Sequence, residues 1–114
     1  MLTIEKLNNF GANTKEGLGR CMNNETFYLR LVNMALDDAG FAKLKTAVEG
    51  GDKQAAFEAA HALKGVLANL ALTPLCEPAS EMTELLRAGK DADYPALLNH
   101  ILTQRDALAA LRDE

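Results

Sequence analysis

The chain has no tryptophan, and aromatic residues make up only 5% of its 114 residues. Its core must therefore be built from aliphatic side chains, and with 48% apolar residues this balance favours an all-α fold. No apolar run approaches the roughly 20 residues that a membrane span needs. The N-terminus also lacks the basic and apolar regions of a signal peptide. We therefore expect a cytoplasmic protein without a membrane partner.

Basic residues and cysteines are also scarce. Twelve Lys and Arg face sixteen Asp and Glu, which gives a formal net charge of −4, and no Lys/Arg cluster stands out. Because phosphate contacts need a basic patch, this argues against nucleic acid as a partner. Cys21 and Cys76 lie on different predicted helices, and neither is spaced from a histidine as a metal ligand would be. We expect two free thiols and no metal site.

The length suits one domain with one core, so we expect residues 1–114 to form a single domain. The initial methionine and the well-capped ends favour a stand-alone protein, and a domain excised from a larger kinase is the alternative. Two short helices, Ile4 to Phe10 and Thr14 to Met22, are predicted within residues 1–23. They are too short to be stable alone, so we expect this segment to cap one end of a bundle formed by residues 24–112.

The first bundle helix is predicted to run from Asn24 to Glu49 without interruption, although it can bend at Gly40. Its larger apolar residues recur at intervals of seven, as on one continuous helical face: Phe27, Met34, Phe41 and Val48. This pattern predicts that all four side chains face the core.

Three further helices follow, from Asp52 to Leu72, from Thr73 to about Ala88 and from Tyr94 to about Arg112. Pro74 and Pro95 lie in the first turn of the last two, a position that suits proline. Four amphipathic helices with short connections predict an antiparallel up-down four-helix bundle.

The second bundle helix carries His61, one of two histidines in the chain. At about 100° per residue, the apolar stripe of this helix consists of six residues: Ala56, Ala59, Ala60, Leu63, Leu67 and Leu70. His61 points roughly 150° away from the centre of that stripe, and Lys64 and Gly65 share its face. Glycine inside a helix costs about 1 kcal/mol relative to alanine, and no turn requires it here. The pattern predicts an exposed imidazole beside a cation and a gap, although a surface histidine beside an incidental glycine fits the helix geometry equally well.

The run His-Ala-Leu-Lys-Gly at residues 61–65 resembles the signature of histidine-containing phosphotransfer (Hpt) domains, His-x-(Leu/Ile)-Lys-Gly on the second helix of a four-helix bundle. The similarity covers roughly residues 24–114. It implies that His61 is the phosphoacceptor of a two-component phosphorelay. By the same resemblance, Lys64 offsets charge on the phosphoryl oxygens and Gly65 admits the partner's active site.

The resemblance also implies the partners, which are response-regulator receiver domains, including the receiver of a hybrid sensor kinase. Docking is expected to use small and apolar residues around the histidine, such as Phe57 and Ala68. No cofactor is expected, and Mg²⁺ would belong to the receiver, because no exposed carboxylate cluster lies beside His61. The chain has no glycine-rich nucleotide loop, so we expect a phosphocarrier and not an ATP-dependent kinase. We also expect it to be a monomer.

On the third bundle helix, Thr83 is expected opposite His61, with Arg87 one turn further on, both on the flank away from the core. The family often has Gln or Glu at this position, which orients the histidine ring, and Thr83 would act through a water bridge. Arg87 is either a further anion contact or a solvated helix-end cation. The chain departs from the family pattern at Val66, at Ala71, where Gly is common, and at Thr83. These departures leave open an Hpt-like adaptor that docks a receiver without phosphotransfer.

Overall fold

The computed structural model describes all 114 residues, and 77% of them are helical, with no strand. The elements are α1 (Ile4–Phe10), α2 (Thr14–Arg20), α3 (Glu25–Leu36), α4 (Gly40–Glu49), α5 (Lys53–Asn69), α6 (Thr73–Arg87), α7 (Tyr94–Ala110) and a final 3-10 turn (Leu111–Asp113). The predicted all-α class is confirmed. No helix combines the length and apolar character that crossing a membrane requires.

Polar side chains fix where most of these helices begin. In each case a side-chain oxygen accepts a hydrogen bond from the backbone N–H three residues later, which satisfies one of the free donors of the first turn. Five residues act in this way: Thr3, Asn13, Asn24, Asp52 and Asp93. The helix starts were predictable because each depends on a few adjacent residues.

The prediction of one helix over residues 24–49 is wrong. Helix α3 ends at Leu36 and α4 begins at Gly40. Between them Asp38 turns the chain, because its Oδ1 accepts a hydrogen bond of 2.6 Å from the backbone N–H of Gly40. The break brings α4 close to α5, since a Cβ atom on Gly40 would lie 3.0 Å from Leu63 Cδ2.

The core face of α3 also differs from the prediction. Phe27 and Met34, expected inside, are 38% and 63% exposed. The residues that α3 buries are Tyr28, Val32, Ala35 and Leu36. The Tyr28 hydroxyl donates a hydrogen bond of 2.8 Å to the Leu70 carbonyl, and burial raises the pKa of Tyr28 to about 12. Tyr28 thereby ties α3 to the C-terminal end of α5.

Four helices, α4 to α7, enclose the main core and contact one another in cyclic order: α4 with α5, α5 with α6, α6 with α7 and α7 with α4. Their connections are short, at residues 50–52, 70–72 and 88–93. The apolar stripe predicted for α5 is confirmed, because all its residues are buried except Ala59, which is partly buried. The opposite face of α5 is left open to solvent.

Helices α1 and α2 pack over the end of the bundle where α5 turns into α6. The backbone N–H of Asn13 donates a hydrogen bond of 2.9 Å to the Ala71 carbonyl, and the Arg20 guanidinium donates to the Ala68 carbonyl. Gly17 permits close packing on α3, because a Cβ atom there would lie 2.5 Å from Tyr28 Cε1. Hydrogen bonds to two backbone carbonyls near the α5–α6 turn thus hold the N-terminal segment in place.

Candidate functional site

His61 lies in the middle of α5 with its imidazole exposed, while Ala60 and Leu63 beside it are buried. The predicted outward orientation is confirmed. The ring stacks on Phe57, one turn earlier on the same helix, with the ring centres 5.7 Å apart and the planes inclined by 7°. This spacing lies within the range of favourable aromatic pairs. The contact that His61 makes within the chain is therefore an aromatic one.

Lys64, one turn after His61, places its Nζ atom 3.5 Å from Glu84 Oε1 on α6. The same carboxylate oxygen lies 3.7 Å from an Nη atom of Arg87. The guanidinium carbon of Arg87 in turn lies 5.6 Å from the centre of the Phe57 ring, within cation–π distance. Two residues of α6 therefore contact the two side chains that flank the histidine on α5.

Gly65 is exposed, and a Cβ atom built on it would meet nothing within 4 Å. The packing of this chain therefore does not require glycine at that position. Gly17 and Gly40 differ, because a Cβ atom on either would come within 3.0 Å of other atoms. Gly65 therefore leaves an open surface beside the imidazole, although glycine weakens the helix there.

The predicted position of Thr83 is wrong. Thr83 is fully buried, and its hydroxyl donates a hydrogen bond of 2.7 Å to the Ala79 carbonyl, as threonines inside helices commonly do. Arg87 is exposed, as predicted. Sequence reasoning missed Glu84, the exposed residue next to Thr83 that contacts Lys64. Its negative charge, opposite to that of Lys64, could have indicated this contact. Glu84 lies one position after Thr83, the residue that the predicted alignment of α6 with α5 placed opposite His61.

The residues expected to dock a partner lie on the same outward strip. Phe57 is half-buried, whereas Ala68 is exposed. At 1.5 Å per residue, the strip from Phe57 to Ala68 measures about 16 Å along α5. It carries His61, Lys64 and Gly65 between its ends, so one surface of modest length brings together every α5 residue proposed from the sequence.

A family model described as "Hpt domain" matches residues 31–114. The chain belongs to the Hpt domain family. No match was found among curated proteins or among solved structures. Membership implies phosphotransfer in two-component signalling, performed by a phosphocarrier module that is not a kinase. Hpt domains work with response-regulator receiver domains.

In this Hpt domain no group of three or more His, Cys, Asp or Glu side chains is arranged to hold a metal ion. Cys21 and Cys76 are both free thiols, as predicted. Burial raises the pKa of the Cys76 thiol, and the positive charge of Lys64 opposes this shift.

Proposed function

We propose that this Hpt domain is a phosphorelay intermediate. His61 accepts a phosphoryl group from the aspartyl phosphate of one receiver domain and passes it to a second, one of the two belonging to a hybrid sensor kinase. The observation that carries the proposal is the exposed imidazole of His61, with a cation at Lys64 and an open surface at Gly65 on the same helical face.

In the forward step, the lone pair of an imidazole nitrogen attacks phosphorus and forms an N–P bond. The P–O bond to the aspartyl carboxylate breaks, and the carboxylate leaves with the electron pair. The proton on the other ring nitrogen remains until it is released to solvent. An uncharged imidazole has a free lone pair on one ring nitrogen and acts through it as a nucleophile. Transfer to the second receiver reverses these bond changes.

Phosphoryl transfer is catalysed mainly by positioning and by offsetting charge. In the proposal the ammonium of Lys64 approaches the phosphoryl oxygens, and Gly65 leaves room for the receiver's active site. Phe57 and Ala68 contact the receiver surface. Mg²⁺ is supplied by the receiver, so this chain needs no cofactor of its own.

The proposal extends to the organisation of the chain. Residues 1–114 act as one domain, in which residues 1–23 cap one end of a bundle within residues 24–112; that bundle consists of α4 to α7, with α3 packed against it. The three short connections between α4 and α7 support an antiparallel up-down arrangement. Exchange with receiver domains would take place in the cytoplasm, with this chain acting as a monomer.

The test is transfer from a receiver that carries radiolabelled phosphate on its aspartate. We expect label to move to the native protein and to His100→Gln, which removes the other exposed histidine, on α7. We expect His61→Gln to remain unlabelled. Label on His61→Gln at the native level would overturn the proposal. Binding of the receiver without labelling of the native protein would favour the adaptor function instead.

A further inference from the structure

The orientation of the His61 ring matters for the proposed reaction. An attacking nitrogen must point its lone pair along the bond that breaks, and such alignment contributes substantially to rate. An exposed side chain on a helix samples several rotamers, so a free imidazole would be aligned for only part of the time. The residue predicted to orient the ring, Thr83, is buried with its hydroxyl bonded to Ala79. Thr83 therefore does not orient the ring.

The structure offers one contact that fixes the ring plane. Phe57 lies one turn before His61, is half-buried, and holds its ring within 7° of parallel to the imidazole. Phe57 is itself restrained, because the guanidinium of Arg87 lies over its ring at 5.6 Å. Arg87 approaches the carboxylate of Glu84 at 3.7 Å. The contacts therefore run from α6 through Phe57 to the reacting ring.

We infer that Phe57 is a positioning residue for His61 and that Arg87 holds Phe57 in place. This inference rests on the proposed function and deepens it. It gives Phe57 a role inside the Hpt domain that is separate from contact with a receiver. The aromatic face would restrict the imidazole to orientations that keep one nitrogen exposed, without any hydrogen bond to the ring.

A small phosphodonor separates positioning from docking, because it has no protein surface to bind. With phosphoramidate, the imidazole nitrogen forms the N–P bond while the P–N bond of the donor breaks and ammonia leaves. If Phe57 only contacts a receiver, this reaction is insensitive to its replacement. If Phe57 positions the ring, the reaction slows in the absence of any partner.

We expect Phe57→Leu to slow phosphorylation of His61 by phosphoramidate roughly two- to tenfold, the range expected for loss of an aromatic pair. Phe57→Tyr, which keeps the ring, should restore the native rate. The matched control is Phe27→Leu, the same change at an exposed phenylalanine on α3, which should have no effect. A native rate in Phe57→Leu, with slower transfer from a receiver, would overturn the inference and leave Phe57 as a docking residue.

Arg87→Met tests the second half of the inference without altering the stack directly. The ring current of Phe57 should shift the proton resonances of the His61 imidazole, and we expect this shift to shrink in Arg87→Met and to vanish in Phe57→Leu. Arg30→Met, at an exposed arginine on α3, is the control. Unchanged His61 resonances in both site variants would overturn the inference. Arg87→Met also serves as the test should Phe57→Leu fail to fold.

These measurements separate the inference from the proposed function. If native protein reacts with phosphoramidate in a Phe57-dependent manner but accepts nothing from any phosphorylated receiver, positioning is supported and the relay function is refuted. If receivers phosphorylate His61 in the native protein and in Phe57→Leu at equal rates, and phosphoramidate does so too, the relay stands and the positioning role is refuted.

Discussion

Lys64 and Glu84 form an ion pair across the contact between α5 and α6, with Nζ 3.5 Å from Oε1. Both side chains are partly exposed, at 32% and 55%. Exposed pairs of this kind contribute only about 0–1 kcal/mol, so little free energy is needed to move the ammonium away from Glu84. A phosphoryl group with a charge near −2 is a stronger competitor. The ion pair therefore holds the Lys64 ammonium on the His61 side of α5 and can be broken when a phosphoryl group arrives.

Replacing Lys64 should slow the proposed transfer. Two unit charges about 4 Å apart interact by about 1 kcal/mol in water, so we expect Lys64→Gln to lower the rate roughly fivefold. Lys64→Arg should retain most of the activity. The measurement is the single-turnover rate of transfer from a phosphorylated receiver, with Lys45→Gln on α4 as the control. Equal rates for Lys64→Gln and native protein at low salt would contradict the role of this cation.

Replacing Gly65 should stabilise the fold but slow phosphoryl transfer. Since a Cβ atom there meets nothing within 4 Å, Gly65→Ala should stabilise the fold by up to about 1 kcal/mol. A larger side chain should obstruct the receiver, so we expect Gly65→Leu to slow transfer about tenfold or more, equivalent to ~1.4 kcal/mol. Urea unfolding and transfer kinetics measure the two effects.

The control for this prediction is Gly19→Ala. Gly19 lies in α2, and a Cβ atom on it also meets nothing within 4 Å. We expect the same kind of stabilisation with an unchanged transfer rate. If Gly65→Leu transferred phosphate at the native rate, the open surface beside His61 would have no functional role.

Thr83 should matter little for transfer, contrary to the expectation from the sequence. Its hydroxyl bonds to the Ala79 carbonyl inside α6, and that carbonyl keeps its helical backbone partner when the hydroxyl is removed. We expect Thr83→Val to change the free energy of unfolding by less than about 1 kcal/mol and to leave the transfer rate within about twofold of native. A strong loss of transfer in a stably folded Thr83→Val protein would restore Thr83 as a supporting residue.

Ala71 occupies a backbone conformation that suits glycine better. It has φ of +55° in the turn between α5 and α6, where a left-handed conformation costs an L-residue about 1–2 kcal/mol. The extra freedom of glycine in the unfolded chain offsets part of the gain. We expect Ala71→Gly to stabilise the fold by about 0.5–1 kcal/mol, measured by urea unfolding. Destabilisation would show that the buried Ala71 methyl group contributes more than the strain it causes.

The parts of the fold that were predictable depend on local sequence. Caps such as Asn24 and Asp52 fix helix starts through side chains three residues from their partners. The 3.6-residue period of α5 places Leu63 inside and His61 outside, because both positions follow from one helix axis. The outward position of His61 was therefore predictable before any tertiary contact was known, whereas its role as candidate phosphoacceptor came from the resemblance of residues 61–65 to the Hpt signature.

The errors arose where distant residues decide. The seven-residue spacing from Phe27 to Val48 fits one straight helix as well as it fits the two helices observed, α3 and α4. The break before Gly40 combines a local hydrogen bond, from the Gly40 N–H to Asp38 Oδ1, with the close approach of α4 to Leu63 on α5. Which α6 residue faces the histidine side of α5 likewise depends on how the two helices are aligned. Counting equal distances from the α5–α6 turn suggests Thr83, but the residue that contacts Lys64 is Glu84, one position later.

The most direct test of the relay is phosphorus NMR on the protein after mixing with a phosphorylated receiver. We predict a phosphorus resonance of phosphohistidine in the native protein and in His100→Gln, and none in His61→Gln. This resonance should disappear when a second, unphosphorylated receiver is added. A stable complex in which the phosphoryl group stays on the receiver, or a phosphohistidine resonance that is still present in His61→Gln, would contradict the account.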